Sequence, residues 1–525
     1  MTMDFLLHHM LRTSTLRTPK KEALVHGTTR LTYGEVSGRA TALARGLRSA
    51  GLTRGERVGI YLDPSIPQVL SIFAVSQAGG VFVTINSSLF PEQLTHIAND
   101  CQMTALITTQ SKLASLAAVL QHIPSLRFLV IQADGQSNVN ALPVHDFDAF
   151  CGLPPSQDWR DANVEKDLAG LLYTSGSTGM PKGVMLSHVQ IMAGSSIVST
   201  YLGITAEERI LAVLPFSFDA GMNQLMTAFQ QGATLVLMTF TFAREIVQML
   251  VKERITALAG VPTLWSLLAQ PNSSLHKTTP PSLRYITNTG GAMPQAVLAT
   301  LRQILPTTKI VLMYGLTEAF RSTYLPPDEL DRRPTSMGKA IPNTEILVVN
   351  EQGQPCKPGE IGELVHRGPT VSMGYWGQPD LTSRVLRPHP YLRRELGDTE
   401  RVCYSGDLVK MDEEGFLYFV GRRDTMIKSS GYRVSPSEVE EVLFQSGTIR
   451  EAAVIGIQDE LLGQAIKAFV VQKEGQSVDQ VTLSLFCAEK LPRYMVPKHV
   501  EILDKLPKTS SGKIDYPALR RREGL

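Results

Sequence analysis

Residues 173–183, Tyr-Thr-Ser-Gly-Ser-Thr-Gly-Met-Pro-Lys-Gly, place hydroxyl groups, glycines and one lysine close together. Backbone N–H groups in a turn with few Cβ atoms can approach an anion closely, and a lysine adds a point charge. We therefore predict that Thr174 and Ser175 begin a phosphate cradle that Lys182 completes. Its loop residues are Gly176, Ser177, Thr178 and Gly179.

Two other interpretations of this stretch are weaker. A solvated Ser/Gly linker would rarely lie between strands or end in Pro-Lys-Gly. The pattern G-x-x-x-x-G-K-[ST] of the common nucleotide loop is absent, because Lys182 follows a proline and no Ser or Thr comes after it. Residues 168–173 and 184–186 are apolar and predict strands on both sides of the turn.

Helix and strand patterns alternate around the cradle. Residues 31–51 and 68–78 have helical periodicity, and each is followed by a strand pattern, at 57–62 and 81–85. The same alternation continues downstream, with strands at 209–214, 233–238, 257–261 and 309–313. This pattern predicts an α/β fold in which layered sheets carry helices on their faces.

The texture changes in the last third of the chain. Beyond about residue 340, short strands between Gly and Pro turns predict a β-rich subdomain. From residue 422 a compact stretch has strands and a helix of its own, and about 100 residues suffice for a separate domain. We predict a large N-terminal domain at 1–421 and a small α+β domain at 422–525.

Composition excludes several classes of protein. The 525 residues carry a formal net charge of only +2, which gives no sign of a nucleic-acid partner. The five cysteines show no C-x-x-C spacing, so a reducing, cytoplasmic setting fits best. No secretion signal is recognisable, and no window approaches the 18 apolar residues that a membrane span needs.

Four further segments have the character of ligand-binding turns. Residues 289–294 and 313–318 each follow a predicted strand, where open α/β sheets place such turns. Residues 404–407 set a carboxylate in a turn, and residues 507–513 end a flexible loop with a lysine. In this order, and over essentially the whole chain, the five segments resemble the AMP-forming adenylation superfamily of acyl-CoA synthetases, amino-acid adenylation domains and luciferases.

The resemblance implies two half-reactions that use ATP and Mg²⁺. A carboxylate first attacks the α-phosphorus and releases pyrophosphate, and a thiol then attacks the acyl adenylate and releases AMP. The small C-terminal domain is implied to be mobile between these steps, with Asp424 at the hinge. Lys513 would bridge the substrate carboxylate and the α-phosphate, and Glu318 fits the Mg²⁺ position as a hard oxygen ligand.

The resemblance also assigns the nucleotide contacts. Thr174, Ser175 and the loop that follows would hold the β- and γ-phosphates, Thr317 the α-phosphate, and Asp407 the ribose hydroxyls. Gly431 and Tyr432 would face the incoming thiol. The remaining nucleotide-binding positions implied are Gly290, Gly291, Ala292, Tyr314, Gly315 and Arg422.

The acid substrate is less clearly indicated. Phe218, Asp219 and Ala220 look like the amino-acid adenylating branch, in which the aspartate pairs with the substrate ammonium group. Asp219 as a simple helix N-cap is the alternative. Residues 426–436 look more like coenzyme A ligases, and Arg321 either neutralises Asp219 or binds an acidic substrate. The predicted pocket comprises Phe218, Asp219, Thr287, Thr289, Met313 and Arg321.

Three functions follow from these observations. The leading one is activation of an amino acid such as L-proline, with transfer to the phosphopantetheine of a separate carrier protein, since no carrier module follows Lys513. The alternative is a coenzyme A ligase for a small or acidic acid. A non-catalytic nucleotide-binding descendant is disfavoured by the retention of Lys182, Glu318, Asp407 and Lys513.

Overall fold

The computed structural model describes residues 4–132, 142–154, 160–175, 181–392, 400–423, 425–429, 432–459, 462–477, 479–509 and 512–525. None of its described helices combines the length and the apolar character needed to cross a bilayer.

The first part of the chain alternates helices and strands as predicted. Its strands are β1 (Glu22–His26), β2 (Thr29–Thr32), β3 (Arg57–Tyr61), β4 (Val81–Thr84), β5 (Ala105–Thr109), β6 (Phe128–Gln132), β7 (Val144–Asp146), β8 (Leu168–Ser175) and β9 (Pro181–Ser187). Its helices are α1 (Leu7–Arg17), α2 (Tyr33–Ser49), α3 (Ile66–Ala78), α4 (Pro91–Asp100), α5 (Gln110–Leu116), α6 (Phe147–Cys151) and α7 (His188–Leu202).

Local sequence accounts for the ends of these helices. The Thr32 hydroxyl accepts from the Glu35 N–H, and the Glu35 carboxylate accepts from the Thr32 N–H, so a capping box starts α2. Gly79 ends α3 with φ +86°, a left-handed conformation that glycine adopts without strain.

Among the described residues, β3 to β9 form a seven-stranded sheet in the order β7-β6-β5-β3-β4-β8-β9. All neighbours pair in parallel except β8 and β9, which form an antiparallel hairpin. Thr174 pairs with Lys182 and Ser175 with Pro181 at the tip of this hairpin. The two predicted strands that flank the cradle are therefore confirmed, and the loop between them, 176–180, lies outside the described residues.

The middle of the chain builds a second sheet. Its strands are β10 (Arg209–Ala212), β11 (Thr234–Leu237), β12 (Ala257–Gly260), β13 (Tyr285–Asn288), β14 (Lys309–Leu316), β15 (Ala319–Leu325) and β16 (Lys339–Ala340), and its helices are α8 (Asp219–Gln231), α9 (Ala243–Lys252), α10 (Pro262–Leu268) and α11 (Gln295–Ile304). Within the described chain the sheet has nine strands, in the order β16-β15-β14-β13-β12-β10-β11-β1-β2.

This second sheet positions the candidate site. Its strands from β1 to β14 pair in parallel, so β12, β13 and β14 have their carboxyl ends at one edge. The turns that begin at Val261 and Thr289, and the end of β14 at Leu316, therefore lie side by side, as expected for ligand-binding turns of an open α/β sheet.

The β-rich subdomain is antiparallel. It contains β17 (Glu345–Val349), β18 (Ile361–Arg367), β19 (Leu386–Pro388), β20 (Arg401–Met411), β21 (Leu417–Arg422) and helix α12 (Pro379–Val385). Asp407 lies inside β20, opposite Arg422 of β21, so the predicted turn at residues 404–407 is wrong. Gly406 has φ +72° and the register shifts at Leu408, and this irregular strand has the local composition of a turn.

The C-terminal lobe has its own sheet and core. It contains β22 (Ile427–Ser429), β23 (Tyr432–Val434), β24 (Ile449–Asp459), β25 (Gly463–Gln472), β26 (His499–Ile502), α13 (Pro436–Gln445), α14 (Gln480–Lys490) and α15 (Tyr516–Arg522). Because Arg422 still pairs in the preceding sheet and the next sheet begins at Ile427, the boundary at 421/422 stays a prediction. The overall expectation of a large α/β N-terminal domain and a small C-terminal domain is confirmed.

Candidate active site

Lys513 reaches from the C-terminal lobe into the N-terminal lobe. The Thr263 hydroxyl donates to the Gly512 carbonyl oxygen at 3.2 Å and fixes the loop there. The Lys513 Nζ lies 4.9 Å from the centroid of the Phe218 ring. Gly290 has φ +80°, and a Cβ at this position would come within 2.9 Å of the Lys513 Cε, so the glycine makes room for the lysine.

Charges from several segments act on the Lys513 ammonium. Burial lowers the pKa of Lys513 below its ordinary value, and the carboxylates of Asp219, Glu318 and Asp407 oppose this effect. Arg321 is a second cation nearby and lowers the pKa further. Residues predicted as distant turns therefore share one electrostatic environment, and an exposed Lys513 is excluded.

Asp219 lies at the start of α8 but does not cap it. Phe218 occupies the N-cap position, Asp219 is the first helical residue, and its Oδ1 accepts only from the neighbouring Ala220 N–H, at 2.8 Å. The N-cap interpretation is therefore wrong. Asp219 is 5% exposed, and Lys513 is a cation of the chain itself that its carboxylate stabilises.

Tyr314, Asp407 and Arg422 form a polar group beside Lys513. The Tyr314 hydroxyl donates to Asp407 Oδ2, and the Arg422 guanidinium lies 3.2 Å from Asp407 Oδ1. Burial, reinforced by the Asp407 carboxylate, raises the pKa of Tyr314 well above its ordinary value, so this hydroxyl keeps its proton. These contacts join β14 to β20 and β21 and hold the carboxylate in place.

Glu318 stands in the two-residue connection between β14 and β15. The Tyr375 hydroxyl donates to Glu318 Oε1 at 2.6 Å. Tyr375 was not among the predicted residues, because nothing in its local sequence connects it to a carboxylate that lies 57 positions earlier. Thr263 was missed for the same reason.

Arg321 and its neighbours form the predicted acid pocket. The guanidinium donates through one terminal nitrogen to the Thr289 hydroxyl at 2.6 Å. Tyr201 stacks on Tyr324, with ring centroids 4.3 Å apart, and its hydroxyl donates to the Met313 sulfur at 3.0 Å. Arg321 therefore does not pair with Asp219, and Thr287 lies buried in β13, two residues before Thr289.

Other predicted residues are placed less completely. Gly291 and Ala292 continue the exposed turn after Gly290, and Thr317 precedes Glu318 in the β14–β15 connection, next to Gly315. Among the described residues, no hydrogen bond or ion pair joins Thr174 or Lys182 to the rest of the site. Tyr432 is in β23. The predicted cradle residues Gly176, Ser177, Thr178 and Gly179, the hinge residue Asp424 and the thiol-facing Gly431 lie outside the described residues.

The chain matches two family models in the order of its lobes. The model of the AMP-binding enzyme covers residues 11–376, and that of the AMP-binding enzyme C-terminal domain covers residues 438–513. A solved anthranilate CoA ligase, AuaEII in complex with anthranoyl-AMP, superimposes with a TM-score of 0.89 at 25% identity, over 100% of this chain and 98% of that one.

Curated relatives fall on both sides of the thiol question. A feruloyl-CoA synthase of Amycolatopsis sp is 34% identical over 96% of both chains. A linear gramicidin synthase of Brevibacillus parabrevis is 31% identical over 98% of this chain and 6% of its own length.

The chain therefore belongs to the AMP-binding enzyme family. Its activity is that of an adenylate-forming acid–thiol ligase, as the resemblance implied. The names of these relatives do not support activation of L-proline, and the similarity to coenzyme A ligases is the stronger one.

Proposed function

We propose that the protein uses ATP to convert a carboxylic acid into its acyl adenylate and then transfers the acyl group to coenzyme A. The observation that carries this proposal is the position of the Lys513 ammonium, beside Phe218 and Gly290 of the other lobe. The coenzyme A ligases among the similar proteins support this thiol as the acceptor.

Lys513 supplies the charge that the first step needs. A carboxylate oxygen of the acid forms a bond to the α-phosphorus while the bond to the bridging oxygen breaks and pyrophosphate leaves. Negative charge accumulates on the non-bridging oxygens, and a fixed cation in a site that excludes water stabilises it. In the second step the coenzyme A thiol loses its proton, its sulfur attacks the acyl carbon, and AMP leaves.

The other residues fit the nucleotide and its metal ion. Glu318 offers a hard carboxylate oxygen, which is the ligand type that Mg²⁺ prefers, and the Tyr375 hydroxyl orients it. A bound Mg²⁺ would supply positive charge to the phosphate oxygens. Tyr314, Asp407 and Arg422 would hold the nucleoside. Thr174, Ser175 and Lys182, with the loop 176–180, would hold the phosphates.

Exchange of labelled pyrophosphate into ATP tests the first step. We expect Lys513→Ala to lower the acid-dependent exchange by about 100-fold or more, the loss seen when one charge-stabilising group is removed. Lys508→Ala is the matched control, because Lys508 lies in the same segment and pairs with Glu451 at 2.9 Å. Equal activity of the two variants would contradict the role of Lys513.

Thioester formation tests the second step. With an acid that supports exchange, free coenzyme A should discharge the adenylate and give an acyl-CoA detectable by mass spectrometry. Discharge on a phosphopantetheinylated carrier protein alone would contradict coenzyme A as the acceptor.

A second candidate is an amino acid to carrier protein ligase. It is favoured by the buried Asp219 in the pocket and by the similarity to a gramicidin synthase. It ranks second because Lys513 already gives Asp219 a cation, so a substrate ammonium is not required. An exchange screen with the twenty amino acids separates the two: stimulation by one amino acid, lost in Asp219→Asn, would favour the second candidate.

A further inference from the structure

Arg321 is a buried cation with an incomplete set of partners. Its side chain is 3% exposed, and one terminal nitrogen donates to Thr289. Its Nε is buried without a hydrogen-bond acceptor. Within the part of the chain that the structure describes, no carboxylate lies within ion-pair distance of this guanidinium. Removing a guanidinium from water costs several kcal/mol unless an anion and hydrogen bonds compensate.

The backbone at Arg321 is held in an uncommon conformation. Its φ is +59°, in the left-handed region that residues with a Cβ seldom adopt. A Cβ on Gly315 would lie 2.7 Å from the Arg321 Cα, so β14 and β15 approach closely only because position 315 is a glycine. Conformations of this kind concentrate at ligand-binding and active sites.

The guanidinium lies in the pocket that serves the reaction. Thr289, its acceptor, immediately precedes Gly290, which contacts Lys513. The charge of Arg321 acts on Lys513 and also on Tyr201, whose ring forms part of the pocket wall against Tyr324. A molecule placed with its reacting carboxylate at Lys513 can therefore extend toward Arg321.

The charges of the pocket need one more anion. Lys513 has the carboxylate of Asp219, whereas Arg321 has only a hydroxyl. The single carboxylate of a simple acid is consumed at the Lys513 end, where it becomes the acyl phosphate anhydride. A guanidinium offers several N–H groups in a planar fork that matches a carboxylate, so a second acidic group would satisfy it.

We propose that Arg321 binds a second anionic group of the substrate, so that the acid activated by this enzyme is a dicarboxylate rather than a simple monocarboxylate. This inference rests on the proposed acid-activating function. It names the class of acid, which the reaction chemistry alone leaves open.

Pairs of compounds that differ only in the second charge test the proposal. The probes are malonate, succinate, glutarate, phthalate and terephthalate, each compared with its monomethyl ester in pyrophosphate exchange with the full-length protein. We expect at least one diacid to exceed its ester by tenfold or more in kcat/KM. Arg321→Met should reduce that preference at least 30-fold, mainly through KM, and Arg321→Lys should fall between the two.

Arg302→Met is the control, because Arg302 is an exposed arginine that pairs with Asp331 at 2.6 Å, and it should keep the preference. If the wild-type protein activates the esters as well as the diacids, or if Arg321→Met leaves the preference unchanged, the proposal is overturned while acid activation stands. If no acid of any kind supports exchange, acid activation itself fails, and this inference fails with it.

Discussion

Arg321 and Arg333 lie 12 positions apart, and both are almost fully buried. Arg333 pairs with Glu329 at 2.5 Å, with Asp412 at 3.2 Å and with Glu414, and its guanidinium covers the Phe416 ring at 4.0 Å. Arg321 has one hydroxyl and a ring contact at 5.4 Å to Phe320. Equal burial thus accompanies two different sets of partners.

The difference separates a structural arginine from a binding one. The carboxylates around Arg333 come from the turn between β20 and β21 and from the segment after β15, so their pairs join the second sheet to the β-rich subdomain. The chain completes this site by itself. The Arg321 site is complete only when a ligand brings the anion, and the two arginines should therefore respond differently to substitution.

The largest expected effect is on stability. Arg333→Met leaves Glu329, Asp412 and Glu414 facing one another without a cation and should lower the free energy of unfolding by about 2–3 kcal/mol. Arg321→Met removes a buried charge that has no carboxylate partner in the described chain, and should change stability by less than about 1 kcal/mol or raise it. Thermal unfolding of the two variants measures both effects, and equal losses would contradict the distinction.

The second effect is the dependence of this loss on pH. Partial burial acts to raise the pKa of Asp412, but hydrogen bonds from the Phe416 N–H, Arg333 and Tyr418 outweigh it and hold the pKa below its ordinary value. The stability from this carboxylate is therefore present above about pH 4 and is lost as the pH falls through its lowered pKa.

Consequently, the Tm difference between wild type and Arg333→Met should shrink below about pH 4. Scans at about pH 7 and about pH 3.5 in one ionic strength test this expectation. Arg321→Met is the control, because no described carboxylate pairs with Arg321 and its Tm difference should stay constant between the two pH values. A constant difference for Arg333→Met would mean that packing on Phe416, rather than ion pairing, holds this arginine.

The smallest effect concerns Thr289. Thr289→Val keeps the shape of the side chain but removes the acceptor of Arg321, which should cost about 1 kcal/mol in orientation of the guanidinium. We expect the preference for a diacid over its monomethyl ester to fall about 3-fold to 10-fold, with a higher KM for the diacid. Thr287→Val, two residues earlier on β13, is the matched control. A larger loss in Thr287→Val than in Thr289→Val would contradict the assigned contact.

Local patterns predicted the elements well where one principle dominated. The capping box at Thr32, the glycine after α3 and the apolar strands around residue 176 each define an element within a few residues. The segment at 404–407 misled because Gly406 and Ser405 are typical of turns. Pairing of β20 with strands on both sides overrode that local preference.

The site was predictable as a set of motifs but not as a set of contacts. Lys513 and Asp407 stand out within segments that resemble a known family. The partners Tyr375 and Thr263 lie far away in sequence from Glu318 and Gly512, and only the packing of separate lobes brings each pair together. The interpretation of Asp219 failed for the same reason, since its cation comes from a lysine in the other lobe.

The place of β1 in the second sheet has a consequence for synthesis of the chain. Leu24 pairs with Leu235, so β1 has no parallel neighbour until roughly 210 further residues have been translated. At about 5–20 residues per second this takes roughly 10–40 s. During that interval Ala23, Leu24 and Val25, all buried in the finished protein, are without their sheet. The ribosome-bound chain therefore carries an apolar strand that chaperones of nascent chains can bind before the second sheet closes.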